Sequence, residues 1–290
     1  MKDSKIEFCS DTWNPLSGCL YDCQYCSARG LANRFGGHKS MAYYMAQDNP
    51  IDVSMLRILN EPMKDEVSGK VEPFPFYFGP TYYRYRLPKL KLLQRPGNIF
   101  ICSTGDLFGD WVDNWIVDEI ISHAAKHTKH NYLFLTKNPI RYDVLESIAE
   151  MRCHHRNMLF GATIDSQVQA DAIINAKVKH ISYLCIEPIL TEIDLEGFLR
   201  RTLSKIEWVI LGAENGNRQG KVIPEDVWVK NISNVCYEYN IPLFVKRGYT
   251  NKGIVTPLER ILGNAFRQDY PEQLRRNARP KKLKVYGTKS

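Results

Sequence analysis

The chain has 290 residues, 44% hydrophobic and 24% charged, enough for one large α/β domain or two small ones with a full core. No apolar run approaches the length of a membrane-spanning helix, and eight cysteines are too sparse for a disulfide scaffold. The formal charge is +7, and residues 260–290 hold nine basic residues against Asp269 and Glu272, so the whole excess sits in a C-terminal arm. With no secretory leader expected, reduced thiols point to the cytosol.

A short strand is expected at Asp11 to Pro15, followed by a cysteine-rich loop. The stretch Pro73 to Leu93 is dense in aromatics and carries Arg84, Arg86, Lys89 and Lys91. It either stacks on nucleic-acid bases and contacts phosphates, or forms a proline-broken crossover that covers apolar surface. Apolar, β-rich runs then recur at Asn98 to Ser103, Asn131 to Leu135, Met158 to Ala162, Ile181 to Ile186, Trp208 to Leu211 and Pro242 to Val245. Such runs suit parallel strands covered by helices. Helices are expected at Ile140 to Met151 behind Asn138-Pro139, at Gln167 to Ala176 behind Asp165-Ser166, and from Pro224 to about Tyr239. Repeated βα units favour a parallel barrel or a doubly wound sheet.

In a parallel barrel the active site lies at the C-terminal ends of the strands. Here those ends read Ser103-Thr104-Gly105-Asp106, Thr136-Lys137-Asn138, Thr163-Ile164-Asp165, Glu187-Pro188, Gly212-Ala213-Glu214-Asn215 and Lys246-Arg247-Gly248. One such turn is an ordinary loop, and Asp165 alone could simply cap the next helix. Recurrence at every strand end makes the signal. If Thr104 and Glu187 face the interior, two-residue alternation also turns Cys102 and Cys185 inward, where a thiol could return a hydrogen atom to a product radical or merely fill space.

Cys19, Cys23 and Cys26 stand in a C-x3-C-x2-C spacing. A tetrahedral zinc site needs a fourth ligand, and His38, twelve residues on, fits no common zinc pattern. Three thiolates can instead hold a four-iron cluster and leave one iron open for chemistry. The remaining cysteines show no second metal spacing.

This spacing, with Tyr25 before the third cysteine, resembles the signature of the radical S-adenosylmethionine (SAM) superfamily. The order TWNPLSGC, IFICSTGDLFGDW, LFLTKNP, LFGATIDSQ, CIEPIL, WVILGAENG and FVKRG is similar to a phage- and prophage-associated branch, usually described as conserved phage proteins of unknown function. Ordinary members of that branch separate the first two cysteines by more residues; here the spacing is that of the wider superfamily. The match runs from about Thr12 to Gly248. The resemblance implies a partial parallel (β/α)6 barrel over residues 1–259, with the cluster loop after the first strand, and a basic extension over 260–290. It implies a [4Fe-4S] cluster on Cys19, Cys23 and Cys26, S-adenosyl-L-methionine as cosubstrate, and an external reductant such as flavodoxin or ferredoxin.

Further roles follow from the same resemblance. Tyr25 is expected to present its backbone to the adenine. Ser103, Thr104, Gly105 and Asp106 stand where the superfamily binds the SAM amino group, though they depart from its usual Gly-Gly-Glu. Lys137 could pair with the SAM carboxylate, and Thr163 and Asp165 with the ribose hydroxyls. Glu187 and Glu214 could meet SAM or substrate. Lys246 and Arg247 could meet a substrate phosphate or carboxylate, with Arg84 and Arg86 as further substrate contacts. The expected substrate is DNA carrying an amino-acid-modified, thymine-derived base, which the enzyme rearranges. The alternatives are repair of DNA lesions, peptide modification, or a non-catalytic metal-stabilised nucleic-acid-binding protein.

Overall fold

The computed structural model describes residues 4–36, 55–145, 148, 150, 155–214, 221–247 and 257–279. His38, Cys153, Gly248 and the arm lysines Lys281, Lys282, Lys284 and Lys289 lie outside them. Seven strands form one sheet in the order β1 (Asp11–Trp13), β5 (Asn98–Ile101), β6 (Asn131–Thr136), β7 (Met158–Thr163), β8 (Tyr183–Ile186), β9 (Trp208–Leu211) and β10 (Leu243–Val245). Every pairing in it is parallel. The sheet curls into a half-barrel, the architecture expected of a partial (β/α) barrel.

The crossovers from β5 to β10 run through α2 (Asn114–Ala125), α3 (Arg141–Val144), α4 (Gln167–Asn175), α5 (Leu195–Arg201) and α6 (Asp226–Glu238). The excursion from β1 to β5 is longer. It holds the cysteine loop, α1 (Ser27–Phe35) and a small sheet of β2 (Leu16–Ser17), β4 (Thr81–Tyr83) and β3 (Arg57–Leu59), and ends in a 3-10 run over Arg84–Leu92.

Period-two alternation divides the core into two layers. Phe100, Leu133, Leu159, Tyr183, Cys185, Trp208, Ile210 and Phe244 face the concave interior. Ile99, Ile101, Phe134, Phe160, Leu184, Val209 and Leu211 lie beneath the helices. Gly161 makes the interior fit, because a side chain there would run into the Tyr183 ring. Phe8 from the N-terminal segment fills the centre, its ring 5.3 Å from Phe100, 6.2 Å from Trp208 and 6.5 Å from Phe244.

The C-terminal residues close the opposite end of the barrel. Val245 N donates to Arg267 O and Asp269 N to Leu243 O, both at 2.9 Å, so this segment borders β10. Asn98 and Asn131, which open their strands, donate to Leu274 O at 3.1 Å and Gln273 O at 3.0 Å. The boundary expected at residue 259 therefore falls inside α7 (Pro257–Leu262), and the chain packs on the barrel as far as Arg279, which donates to Pro96 O at 2.8 Å.

Three local expectations are corrected. The strand expected over Asn98 to Ser103 ends at Ile101, because Cys102 turns the chain at φ 52°. The helix expected over Ile140 to Met151 is interrupted: extended Leu145 ends α3, and Ile148 and Glu150 are helical again. Asn138 does not cap that helix: its amide donates to Phe108 O at 3.2 Å and Asp110 Oδ1 at 2.7 Å. No helix among the described residues is long and apolar enough to cross a membrane.

His130, just before β6, is 1% exposed. Burial, with like charge from Lys129, depresses its imidazole from 6.5 to about 4. The unfolded chain therefore takes up this proton first as pH falls, and stability is lost between pH 6.5 and 4. Urea unfolding at pH 7 and 4.5 should show a loss about 2 to 3 kcal/mol larger for the native protein than for His130→Leu. Equal losses would refute the assignment.

Candidate active site

The cysteine loop rests on the turn after β5 through two glycines. Gly18 has φ 87°, and a Cβ there would lie 2.7 Å from Pro80 N. A Cβ on Gly105 would lie 2.7 Å from Gly18 O. The resulting contact lets Gly18 N donate to Thr104 O at 2.9 Å, while Cys19 N donates to Phe78 O at 3.2 Å. Tyr21 N donates to Cys19 Sγ and Arg29 N to Cys26 Sγ, both at 3.4 Å, so Cys26 also caps α1.

The three thiols are free, half-buried, and line one cavity of about 310 Å³. Burial, with Asp106 and the other two cysteines adding, pushes the Cys19 thiol up to about 12. Burial raises Cys23 as well. Among the described residues, no three His, Cys, Asp or Glu side chains converge on one point as a single ion requires. Cys19, Cys23 and Cys26 on one cavity are the donor set that a cluster with one thiolate on each of three irons would need.

Polar side chains from successive strand ends form the rim. Asp106 Oδ2 accepts from Thr136 Oγ1 and Lys137 N at 3.0 Å, and its Oδ1 from Phe108 N at 2.9 Å. Its burial nonetheless raises the carboxyl above the usual range. Beside it, Lys137 Nζ donates to Asp165 Oδ2 at 2.7 Å, and the Tyr25 hydroxyl donates to the same oxygen. Burial would raise Asp165, but these two bonds hold it below the usual range. Burial and Asp165 both push the Tyr25 phenol up, so it stays protonated. Tyr25 was expected to act through its backbone; its side chain ties the cysteine loop to the end of β7. Asp165 is a hub for two side chains rather than a helix cap.

The rest of the cavity lining combines apolar and charged groups. Ile6, Phe8, Phe100 and Leu135 form an apolar floor, with Cys185, Glu187, Glu214 and Lys246 beside it. Lys246 pairs with Glu187, their side chains 15% and 18% exposed. Burial would depress the Lys246 ammonium, but Glu187, with Cys185 and Glu7, raises it instead. A Cβ on Gly212 would lie 2.8 Å from Glu187 Cδ, so glycine there seats the carboxylate. Glu214 Oε2 accepts from Val222 N at 3.1 Å. Cys185 Sγ lies 3.9 Å from Glu187 Oε2.

Most of the sequence-predicted residues meet at this cavity: Cys19, Cys23, Tyr25, Cys26, Cys102, Ser103, Gly105, Asp106, Lys137, Thr163, Cys185, Glu187, Glu214 and Lys246 all line it. Alternation places Cys185 there; Cys102 arrives through its positive φ instead. Five expected residues do not line it, and Asp165 is one of them, held behind Tyr25 and Lys137. Thr104 contributes its carbonyl to the Gly18 contact. Arg84 is held by Glu119 at 2.7 Å. Arg86 lies 3.6 Å from the centroid of the Tyr83 ring and donates to Asn14 O and Pro73 O, so the aromatic and basic segment covers the barrel. Arg247 turns to Glu259 at 3.8 Å and to the Phe266 ring.

The sequence reading missed Ile6, Phe8, Tyr21, Phe78 and Asn14. Asn14 Oδ1 accepts from Ser103 N at 2.8 Å and Ser103 Oγ at 3.1 Å, fixing the turn beneath the cysteine loop. Asn14 stands in the TWNPLSGC segment and Tyr21 between the first two cysteines, but neither residue type marked a role there, and Ile6, Phe8 and Phe78 read as ordinary apolar residues.

Removing one partner of the Lys246–Glu187 pair leaves a charge in a poorly hydrated wall. Lys246→Met should lower unfolding free energy by up to about 3 kcal/mol, and adding Glu187→Leu should recover most of it. A denaturation double-mutant cycle measures both; additive losses would contradict the pairing.

No curated protein matches the chain. Among solved structures, a cysteine-to-serine variant of spore photoproduct lyase matches at 11% identity and TM-score 0.40, over 91% of this chain and 62% of that one. A second variant of that lyase, with bound AdoMet and dinucleoside spore photoproduct, matches at 10% identity and TM-score 0.37, over 88% and 60%. The chain thus spans about 60% of the length of these structures. The family model described as "Protein of unknown function (DUF5131)" matches residues 3–275, and the chain belongs to that family.

Proposed function

We propose that this protein is a radical SAM enzyme acting on nucleic acid, and that it rearranges an amino-acid-modified, thymine-derived base in phage DNA, with repair of DNA lesions as the alternative. The observation that carries the enzyme class is the meeting of Cys19, Cys23 and Cys26 with the polar strand-end residues around one cavity at the C-terminal rim of a parallel half-barrel. When bound, a [4Fe-4S] cluster and SAM supply, with one electron from a reductant such as flavodoxin or ferredoxin, a 5′-deoxyadenosyl radical that abstracts hydrogen from the substrate. Cys19, Cys23 and Cys26 hold the cluster. Ser103, Gly105, Asp106, Lys137, Thr163 and Asp165 offer donors and acceptors for a zwitterionic, ribose-bearing cosubstrate on the same side. Substrate has the rest of the lining: the apolar floor of Phe8 and Phe100 suits a flat ring, and the Lys246–Glu187 pair offers a donor and an acceptor to its edge. Cys185, in that lining, is placed to return hydrogen to a product radical.

Replacing Cys19, Cys23 and Cys26 with Ala should abolish iron loading and SAM cleavage, because no spare thiol lies in the loop. A triple variant that still takes up iron after anaerobic reconstitution would end the assignment. For the substrate, reduced enzyme, SAM and modified DNA are incubated, and the digested nucleosides compared by mass spectrometry and chromatography. Rearrangement gives unchanged mass with altered retention, whereas a lyase gives mass loss. If DNA neither binds nor stimulates 5′-deoxyadenosine release, nucleic acid is the wrong substrate.

The arm is testable separately. Deleting residues 280–290 removes Lys281, Lys282, Lys284 and Lys289. If these lysines meet phosphates, the slope of log affinity against log salt should flatten by roughly three units. SAM cleavage without DNA should persist, because Arg279 leaves the barrel beside Asp11 and Pro96, at the end opposite the cavity. An unchanged slope would remove the arm from DNA binding.

A further inference from the structure

Charge is polarised along the barrel axis. The turns that leave the strands carry carboxylates: Asp106 after β5, Asp165 after β7, Glu187 after β8 and Glu214 after β9. The segments that enter the strands carry cations instead. Lys91 and Arg95 precede β5, Lys126 and Lys129 precede β6, Arg156 precedes β7, and Lys177 and Lys179 precede β8. All of them are exposed. Residues 91–97, 126–130, 155–157 and 176–182 contain no Asp or Glu. Because the strands are parallel, these segments share the N-terminal rim, and they touch one another there. Lys129 Nζ donates to Gln94 O at 3.2 Å, Asn131 N to Gly97 O at 2.9 Å and Asn157 Nδ2 to His130 O at 2.7 Å. The segment that seals this end adds exposed Arg275 and Arg276, with no acid from Gln273 to Arg279. Asp11, at the same rim, is buried and faces Arg279 at 3.5 Å. Lys205, before β9, is paired with Glu207 at 3.3 Å, so the row of cations ends there. Helix dipoles account for part of the pattern. Lys126 caps α2 and Lys177 follows the cap of α4, where cations offset the negative helix end. Arg95 and Lys129 lie beyond the helix ends, outside the last turn in which a dipole acts.

We propose that the N-terminal rim is a phosphate-binding face for nucleic acid, a tether separate from the cavity. Cations spread over successive loops, with no acid between them, suit a polyanionic backbone, which needs charge and no shaped pocket. A protein partner would need an apolar centre. Among the described residues, Leu92 and Leu203 are the large apolar side chains exposed on the segments entering β5 to β9, and β6, β7 and β8 separate the strands they precede. The face also adjoins the start of the basic arm, since Arg279 donates to Pro96 O at 2.8 Å. Phosphates held here belong to nucleic acid away from the reacting group, because the cavity is lined by the opposite strand ends. The face needs neither cluster nor SAM, so it shares with the reading above only the kind of partner.

The test titrates the full chain, without iron or SAM, with a fluorescently labelled, unmodified DNA duplex at several salt concentrations. A rim variant carries Arg95→Gln, Lys129→Gln and Arg156→Gln. A control carries Arg200→Gln, Arg201→Gln and Lys230→Gln, which removes the same charge from residues paired with Glu196, Asp171 and Asp226 on the helical layer. The rim variant should flatten the slope of log affinity against log salt by roughly two to three units and lose about tenfold or more in affinity at low salt. The control should change the slope by less than about one unit. A native slope in the rim variant overturns the proposal, and equal effects of the two variants overturn it in favour of net charge alone. Native protein that prefers poly-glutamate to DNA makes an acidic protein the partner and also overturns it. In protein lacking residues 280–290 the rim effect should persist; its disappearance would leave the arm as the whole binding device. Urea unfolding checks that each variant is folded. Should the rim variant not fold, Arg95→Gln with Arg156→Gln carries the test, with a flattening of roughly one to two units expected and none overturning the face. Loss of the rim effect with native DNA binding intact fails this face alone, whereas iron loading and SAM cleavage, measured separately, decide the cluster reading.

Discussion

The contact between Gly18 and Gly105 is the joint on which the candidate site depends. It lets the backbone of the cysteine loop lie directly on the turn after β5, closer than any side chain would allow. Asn14 fixes that turn from below through Ser103, and the small sheet of β2, β4 and β3 holds the loop from the other side. The thiols are therefore placed by backbone contacts rather than by side-chain packing. This suits a loop that must keep its shape around an exchangeable group.

Charge inside the cavity is arranged in two separate pairs. Lys137 and Asp165 join the ends of β6 and β7, whereas Lys246 and Glu187 bridge β8 and β10 across β9. Neither is an efficient stabiliser, since apolar residues of similar size would fill such positions at lower desolvation cost. Their presence in one cavity, on either side of an apolar floor, agrees with chemistry rather than stability as the reason for them.

The two ends of the barrel have different tasks. The C-terminal rim carries the cavity. The N-terminal rim is sealed by Asn98, Asn131, Trp208 and the segment around Leu274, with Phe8 filling the space between.

The half-barrel was legible in the sequence because each strand is an apolar run bounded by turn residues, a signal local to a few positions. The cysteine spacing and the polar strand ends were legible for the same reason. What escaped was every relation set by contacts far apart in the chain. Phe8 joins the interior only because distant strands curl around it, and Tyr25 uses its hydroxyl only because folding brings Asp165, 140 positions away, within reach. Arg84, Arg86 and Arg247 read as substrate contacts, yet tertiary partners claim them: Glu119, the Tyr83 ring and Glu259. Sequence alone determined the strands, their direction and the thiol loop, because local periodicity and spacing specify these. The tertiary structure decided which charged groups face the cavity and which are neutralised elsewhere, because that depends on which side chains the curled sheet brings together.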